Sequence, residues 1–110
     1  MELTDTPAAI RAFIDATNAG DSDAFVAAFT PDATLDDWGR KFTGHVGVRS
    51  WNRTDNIGVQ SHFDLLAIES GQDADSYVVT IRVRGNGYNG TGPMAFRLRD
   101  GLIASLRISS

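Results

Sequence analysis

The sequence predicts an α+β fold, with three N-terminal helices packed on a mostly antiparallel sheet. Three observations carry that prediction. Apolar residues recur at helical spacing before residue 58 and at strand spacing after it. Turn-forming clusters divide the second half into four segments of strand length. No strand-helix-strand unit follows residue 58, which argues against a doubly wound parallel sheet.

Each element has a local reason. Thr6-Pro7 reads as an N-cap with proline at the first helical position. Ile10, Phe13, Ile14 and Thr17 then share one helical face, and Asn18-Ala19-Gly20 ends the helix, with Gly20 supplying the left-handed residue. Asp21 can cap a short second helix that buries Phe25, Ala28 and Phe29, and Thr30-Pro31-Asp32 is expected to break it. Residues 33–38 read as a strand, 39–44 as a loop and 45–56 as a third helix burying Val48 and Trp51. Strands are expected at 60–69, 76–84, 91–99 and 102–109. Ser70-Gly71-Gln72-Asp73, the glycine-rich segment 85–90 and Asp100-Gly101 separate them, the last being a two-residue hairpin signal.

At 110 residues, the chain reads as one domain, 1–110, with one core. Its net charge of −4 argues against a nucleic-acid surface. Arg82, Arg84, Arg97 and Arg99 alternate with apolar residues, which is the pattern of a solvated strand face. The chain has no cysteine, so disulfides, thiolate metal sites and thiol nucleophiles are excluded. Two histidines leave no His-rich metal site, and no metal is expected. The start, MELTDTPAAI, lacks the basic and apolar regions of a signal peptide, and no apolar run approaches the ~20 residues of a membrane span. A cytoplasmic protein without a membrane partner is expected.

Strand alternation assigns faces. Leu35 marks the inward face of the first strand, which sends Asp37 inward and Asp36 to solvent. Tyr77, Val79, Ile81 and Val83, then Met94, Phe96 and Leu98, then Leu102, Ala104, Leu106 and Ile108 form one apolar face. That face is the natural bed for the helices, with any pocket between the two layers. Near residue 62, Phe63, Leu65 and Ala67 compete with Leu66 and Ile68, predicting an outer surface partly covered by a second subunit.

The run 18–51, NAGDSDAFVAAFTPDATLDDWGRKFTGHVGVRSW, is similar in order and spacing to the signature of the NTF2-like superfamily. The chain resembles its SnoaL-like and ketosteroid-isomerase-like branch over essentially its whole length. The resemblance implies a cone-shaped fold enclosing a pocket, and a homodimer paired through the outer sheet face. It also implies proton-transfer chemistry on a small, mostly apolar organic molecule, with no cofactor. In ketosteroid isomerases a similar NAGD helix end precedes the strand, and the second of two adjacent acids is the base. The match of ATLDD to that strand puts Asp37 at the base position. Phe13 stands where those enzymes place a tyrosine, Met94 lies near their second acid, and neither can donate a hydrogen bond. Trp38 replaces the proline after the base. These departures argue against ketosteroid isomerisation. They keep a non-catalytic binding or assembly domain as the alternative, since one fold hosts many chemistries. Epoxide-hydrolase relatives need an Asp-Arg-Asp set, but Arg97 reads as outward and no second inward acid is evident.

Read from its own surroundings, Asp37 has two meanings. A carboxylate held among apolar side chains has its charged form destabilised and suits proton transfer near neutral pH. The plainer reading pairs it with Arg40, Lys41 or a backbone N–H. Phe13, Thr17, Trp38, Trp51, Met94 and Phe96 are the expected ligand-binding wall, with Trp38 leaving the strand to cover the opening. Trp51 also fits simple packing beside Val48. His62 lies at a strand start, either toward the pocket or at the surface, and His45 is expected to face solvent. Tyr88 sits in a turn too short and wrongly placed for a phosphate loop, and is expected at an interface or the pocket rim.

Overall fold

The computed structural model describes residues 2–109. Helices α1 (Ala8–Ala19) and α2 (Ser22–Ala27) lead into the hairpin of β1 (Phe29–Asp37) and β2 (Arg40–Thr43). Helix α3 (Gly44–Asp55) follows, then β3 (His62–Ser70), β4 (Ser76–Arg84), β5 (Gly90–Arg99) and β6 (Leu102–Ile108). The strands form one sheet in the order β2-β1-β6-β5-β4-β3. Every neighbouring pair is antiparallel except β1 and β6, which run parallel. The α+β architecture expected from the period change is therefore the one observed. No helix among the described residues is long and apolar enough to cross a membrane.

Helix α1 buries Ile10, Phe13, Ile14 and Thr17 on one face, and Gly20 ends it at a φ of 70°. Thr6 does not cap it, because its hydroxyl donates to the Leu3 carbonyl instead. Asp21 does cap α2, accepting the Ala24 N–H at 3.1 Å. Helix α2 has already ended at Ala28, so Thr30-Pro31-Asp32 is not its breaker but part of β1. Proline is tolerated there because the β1–β6 ladder is irregular between Phe29 and Thr34 and asks no regular N–H of Pro31.

The expected loop at 39–44 contains a strand. Asp37 pairs with Arg40 across a two-residue turn in which Trp38 (φ 53°) and Gly39 (φ 90°) both lie in the left-handed region. A tryptophan at the first turn position hides the usual Asn-Gly or Asp-Gly signal. Asp36 Oδ1 accepts the Gly39 N–H at 2.7 Å and helps hold the turn.

Two bulges correct the assignment of faces. The β3–β4 register shifts between Leu65 and Ala67, leaving Leu66 as the extra residue. Phe63 and Ile68 thus share the buried side, while Leu66 is left exposed on the outer one. In β6 the register shifts at Ala104, so Ile103 is buried where simple alternation put Leu102 and Ala104, while Leu106 is buried as expected. The core lies between the helices and this sheet face. Phe13 is at its centre, with ring centroids 5.2 Å from Phe25 and Phe96 and 5.3 Å from Phe63. Asn18 ties the end of α1 to the sheet, accepting the Phe63 N–H at 2.7 Å and donating to its carbonyl at 2.9 Å.

Candidate functional site

The sheet face and α3 do not close on each other everywhere. A cavity of about 150 Å³ remains between the C-terminal end of α3, the turn at 57–61 and strands β1 and β3–β6. Phe63, Ile81, Val83 and Ile108 supply apolar wall, and Asp37, Asp55 and Asn56 supply polar wall. Among the described residues, no Lys, Arg or His side chain lines it.

Asp37 arrives at the cavity because it ends β1 on the same face as buried Leu35. Its Oδ2 accepts the Trp51 indole N–H at 3.0 Å and lies 3.7 Å from Arg40 Nη1. Trp51 itself is buried on α3, so the hydrogen bond is anchored on a rigid element. Asp37 therefore sits beside a donor and a guanidinium, not within a purely apolar sheath. Neighbouring Asp36 turns to the hairpin and does not line the cavity.

Arg40 reaches past Asp37 and clamps Asp55 with both terminal nitrogens, at 3.0 and 3.1 Å. The hydrogen bond from Arg40 holds the Asp55 carboxyl below the usual carboxylate range, with burial opposing and the Thr54 hydroxyl assisting. The cavity wall thus contains two carboxylates joined by one arginine. The second inward acid, Asp55, was not legible in the sequence, because a polar residue at the end of an amphipathic helix reads as solvated.

Asn56 is the other residue that sequence reasoning missed. It is 1% exposed, directly after α3. Its amide nitrogen donates to Thr17 Oγ1 at 3.0 Å and to Asn52 Oδ1 at 3.1 Å. Its Oδ1 is the one buried side-chain oxygen or nitrogen without a protein partner among the described residues. Leaving such an acceptor unmade costs roughly 1–3 kcal/mol.

The expected wall is only partly assembled. Trp51 and Met94 line the cavity with Asp37. Phe13 and Phe96 do not, because they fill the aromatic core, and Thr17 touches the site only through Asn56. Trp38 lies on the exposed hairpin turn and is not part of the cavity lining, so it does not cover the opening. The two positive φ values turn the chain back at that point and end the strand alternation. Tyr88 is at the rim, lining the cavity while remaining 62% exposed. His62 lies outside the cavity, 3.3 Å from Asp64, while His45 is half-buried with Nε2 2.9 Å from the Phe29 carbonyl oxygen.

The family model described as "SnoaL-like domain" matches residues 10–106. No match is found among curated proteins. Among solved structures, a candidate polyketide cyclase from Sinorhizobium meliloti is 28% identical, with a TM-score of 0.87 over 99% of this chain and 100% of that one. SalBIII, an epoxide hydrolase/cyclase-like enzyme of pyran ring formation in the polyether salinomycin, is 23% identical over 90% of this chain and 84% of its own, with a TM-score of 0.78. RV0760c from Mycobacterium tuberculosis, in complex with estradiol-17beta-hemisuccinate, is 15% identical over 90% and 88%, with a TM-score of 0.79. The last two similarities concern the fold alone.

Proposed function

Because this chain belongs to the SnoaL-like family of the NTF2-like fold, we propose that it binds a small, mostly apolar organic molecule and moves a proton on it. Asp37 is the general base or acid, and no cofactor takes part. One observation carries this reading. A carboxylate on a rigid strand end lines a mainly apolar cavity and is oriented by an indole N–H at 3.0 Å. With Oδ2 engaged by Trp51, Oδ1 is the oxygen left to take a proton from a bound ligand. The S. meliloti candidate cyclase and the steroid-bound M. tuberculosis protein support a small organic ligand by analogy.

The cavity limits the ligand. At about 150 Å³ it is smaller than the roughly 300 Å³ at which ordinary ligand pockets begin. It suits a single ring, or one end of a longer molecule that leaves past Tyr88. A homodimer paired through the outer sheet face, in the cytoplasm, completes the proposal. Leu66 (45% exposed) and Val78 (37%) are the larger apolar side chains open to solvent on β3 and β4.

Deuterium uptake at the α-carbon of cyclohexanone, followed by NMR in heavy water, tests the chemistry. The wild type should exceed the buffer rate, and Asp37→Asn should return to it. Equal uptake by both proteins would remove Asp37 from the reaction. A second reading, a binding domain without catalysis, is favoured by Phe13 and Met94 standing where isomerases of this fold family place donors. Binding without any uptake would select it.

A further inference from the structure

The orphaned oxygen of Asn56 has a fixed position. Thr17 gives its own hydroxyl hydrogen to the Phe13 carbonyl at 2.9 Å, so toward Asn56 its oxygen accepts. Asn52 Oδ1 faces both the Asn56 amide nitrogen and the Ile57 N–H, so it also accepts. The Asn52 amide nitrogen is turned the other way, to Ser22 Oγ at 3.2 Å. Exchanging the oxygen and nitrogen of Asn56 would set oxygen against oxygen at Asn52. Both amide hydrogens of Asn56 are therefore committed, and Oδ1 is the atom left over.

A buried acceptor in a native fold is normally completed by a donor. The cavity that Asn56 lines supplies none from an Arg, Lys or His side chain. Its charged members are the carboxylates of Asp37 and Asp55, acceptors as well when ionised, and the hydroxyls of Thr54, Ser61, Tyr88 and Ser109, which also line it, make no hydrogen bond to Asn56 Oδ1. Such a wall repels an anion. It complements a neutral molecule that presents an O–H.

We propose that Asn56 is the polar anchor of this cavity: its Oδ1 accepts a hydrogen bond from the hydroxyl of a neutral, ring-sized ligand and so selects hydroxylated compounds over isosteres without a donor. This rests on the cavity being a ligand site, as proposed above, but not on Asp37 performing chemistry. Asn56 is a specificity residue here. Thr17 and Asn52 are positioning residues that aim its amide.

Phenol, toluene and benzoate are suitable probes, since they share one ring and differ in the group attached to it. Binding is followed by Trp51 fluorescence and by the side-chain carbonyl ¹³C resonance of Asn56 in the wild-type protein. Toluene is the more hydrophobic, so a cavity without an acceptor favours it over phenol. The wild type should reverse that order and bind phenol roughly five- to tenfold tighter than toluene. The Asn56 carbonyl should shift with phenol and not with toluene, and benzoate should bind weakest. Asn56→Leu should restore the preference for toluene, while Asp37→Asn should keep the preference for phenol.

Equal binding of phenol and toluene by the wild type would overturn the anchor and leave the ligand cavity standing. A phenol preference that survives Asn56→Leu but is lost in Asp37→Asn would overturn it too, assigning the hydroxyl to Asp37. Failure of both rings to bind would overturn the anchor together with the proposed function. If Asn56→Leu fails to fold, the wild-type carbonyl shift decides: a shift with phenol alone supports the anchor, and no shift refutes it.

Discussion

The interior has two halves built on the same sheet face, and they are finished differently. Toward α1 and α2, Phe13 packs against Phe25, Phe29, Phe63 and Phe96, all buried. Toward the end of α3, packing stops short and leaves the cavity, with Asp37, Asp55 and Asn56 in its wall. Phe13 and Phe96 fill the deep end of the interior, and the polar groups gather at the open end.

The largest expected effect tests the filled half. Phe13→Ala removes the ring at the centre of the cluster and should cost about 3–5 kcal/mol in chemical denaturation. Met94→Ala borders space that is already open and should cost nearer ~2 kcal/mol. Equal losses at the two positions would erase the distinction between the halves.

A smaller effect belongs to the Arg40–Asp55 clamp. The folded-state value of Asp55 lies below its ordinary 3.8, so its stabilising contribution is complete above that pH. The contribution is lost as pH falls through the folded value. Arg40 is more than half exposed and its pairing is screened by solvent, so Arg40→Met should lower the melting temperature only slightly at neutral pH. Melting curves of variant and wild type should converge in acid. A gap that persists once Asp55 is protonated would show that the clamp is not its source.

The smallest effect is at Trp38. Trp38→Ala should change stability by no more than about 0.5 kcal/mol and leave phenol binding unaltered. A marked loss of binding would bring this tryptophan back to the cavity and extend the open half to the β1–β2 turn.

The pattern of what could be read from the chain follows from the range of the forces involved. Period and caps are local, so α1 with Gly20, α2 with Asp21 and the Asp100-Gly101 hairpin were all legible. So was the placement of Asp37 on the side of Leu35, because six residues of alternation decide it. Strand β2 was not legible, since four residues and a Trp-Gly turn carry almost no signal. The buried position of Ile103 was not legible either, because a one-residue bulge appears only when two strands pair. Asp55 and Asn56 join the site through contacts 15 and 39 residues away in sequence, to Arg40 and Thr17. No window-based pattern records such partners.

An open sheet also has two unpaired margins, and their construction affects how the molecule behaves when concentrated. Strand β2 presents Arg40 and Lys41 along one margin, and β3 carries its Leu66 bulge along the other. Charge repels an approaching strand and a bulge denies it a matching hydrogen-bond register. The same irregularities that obscure the sheet in the sequence thus guard the protein against edge-to-edge aggregation.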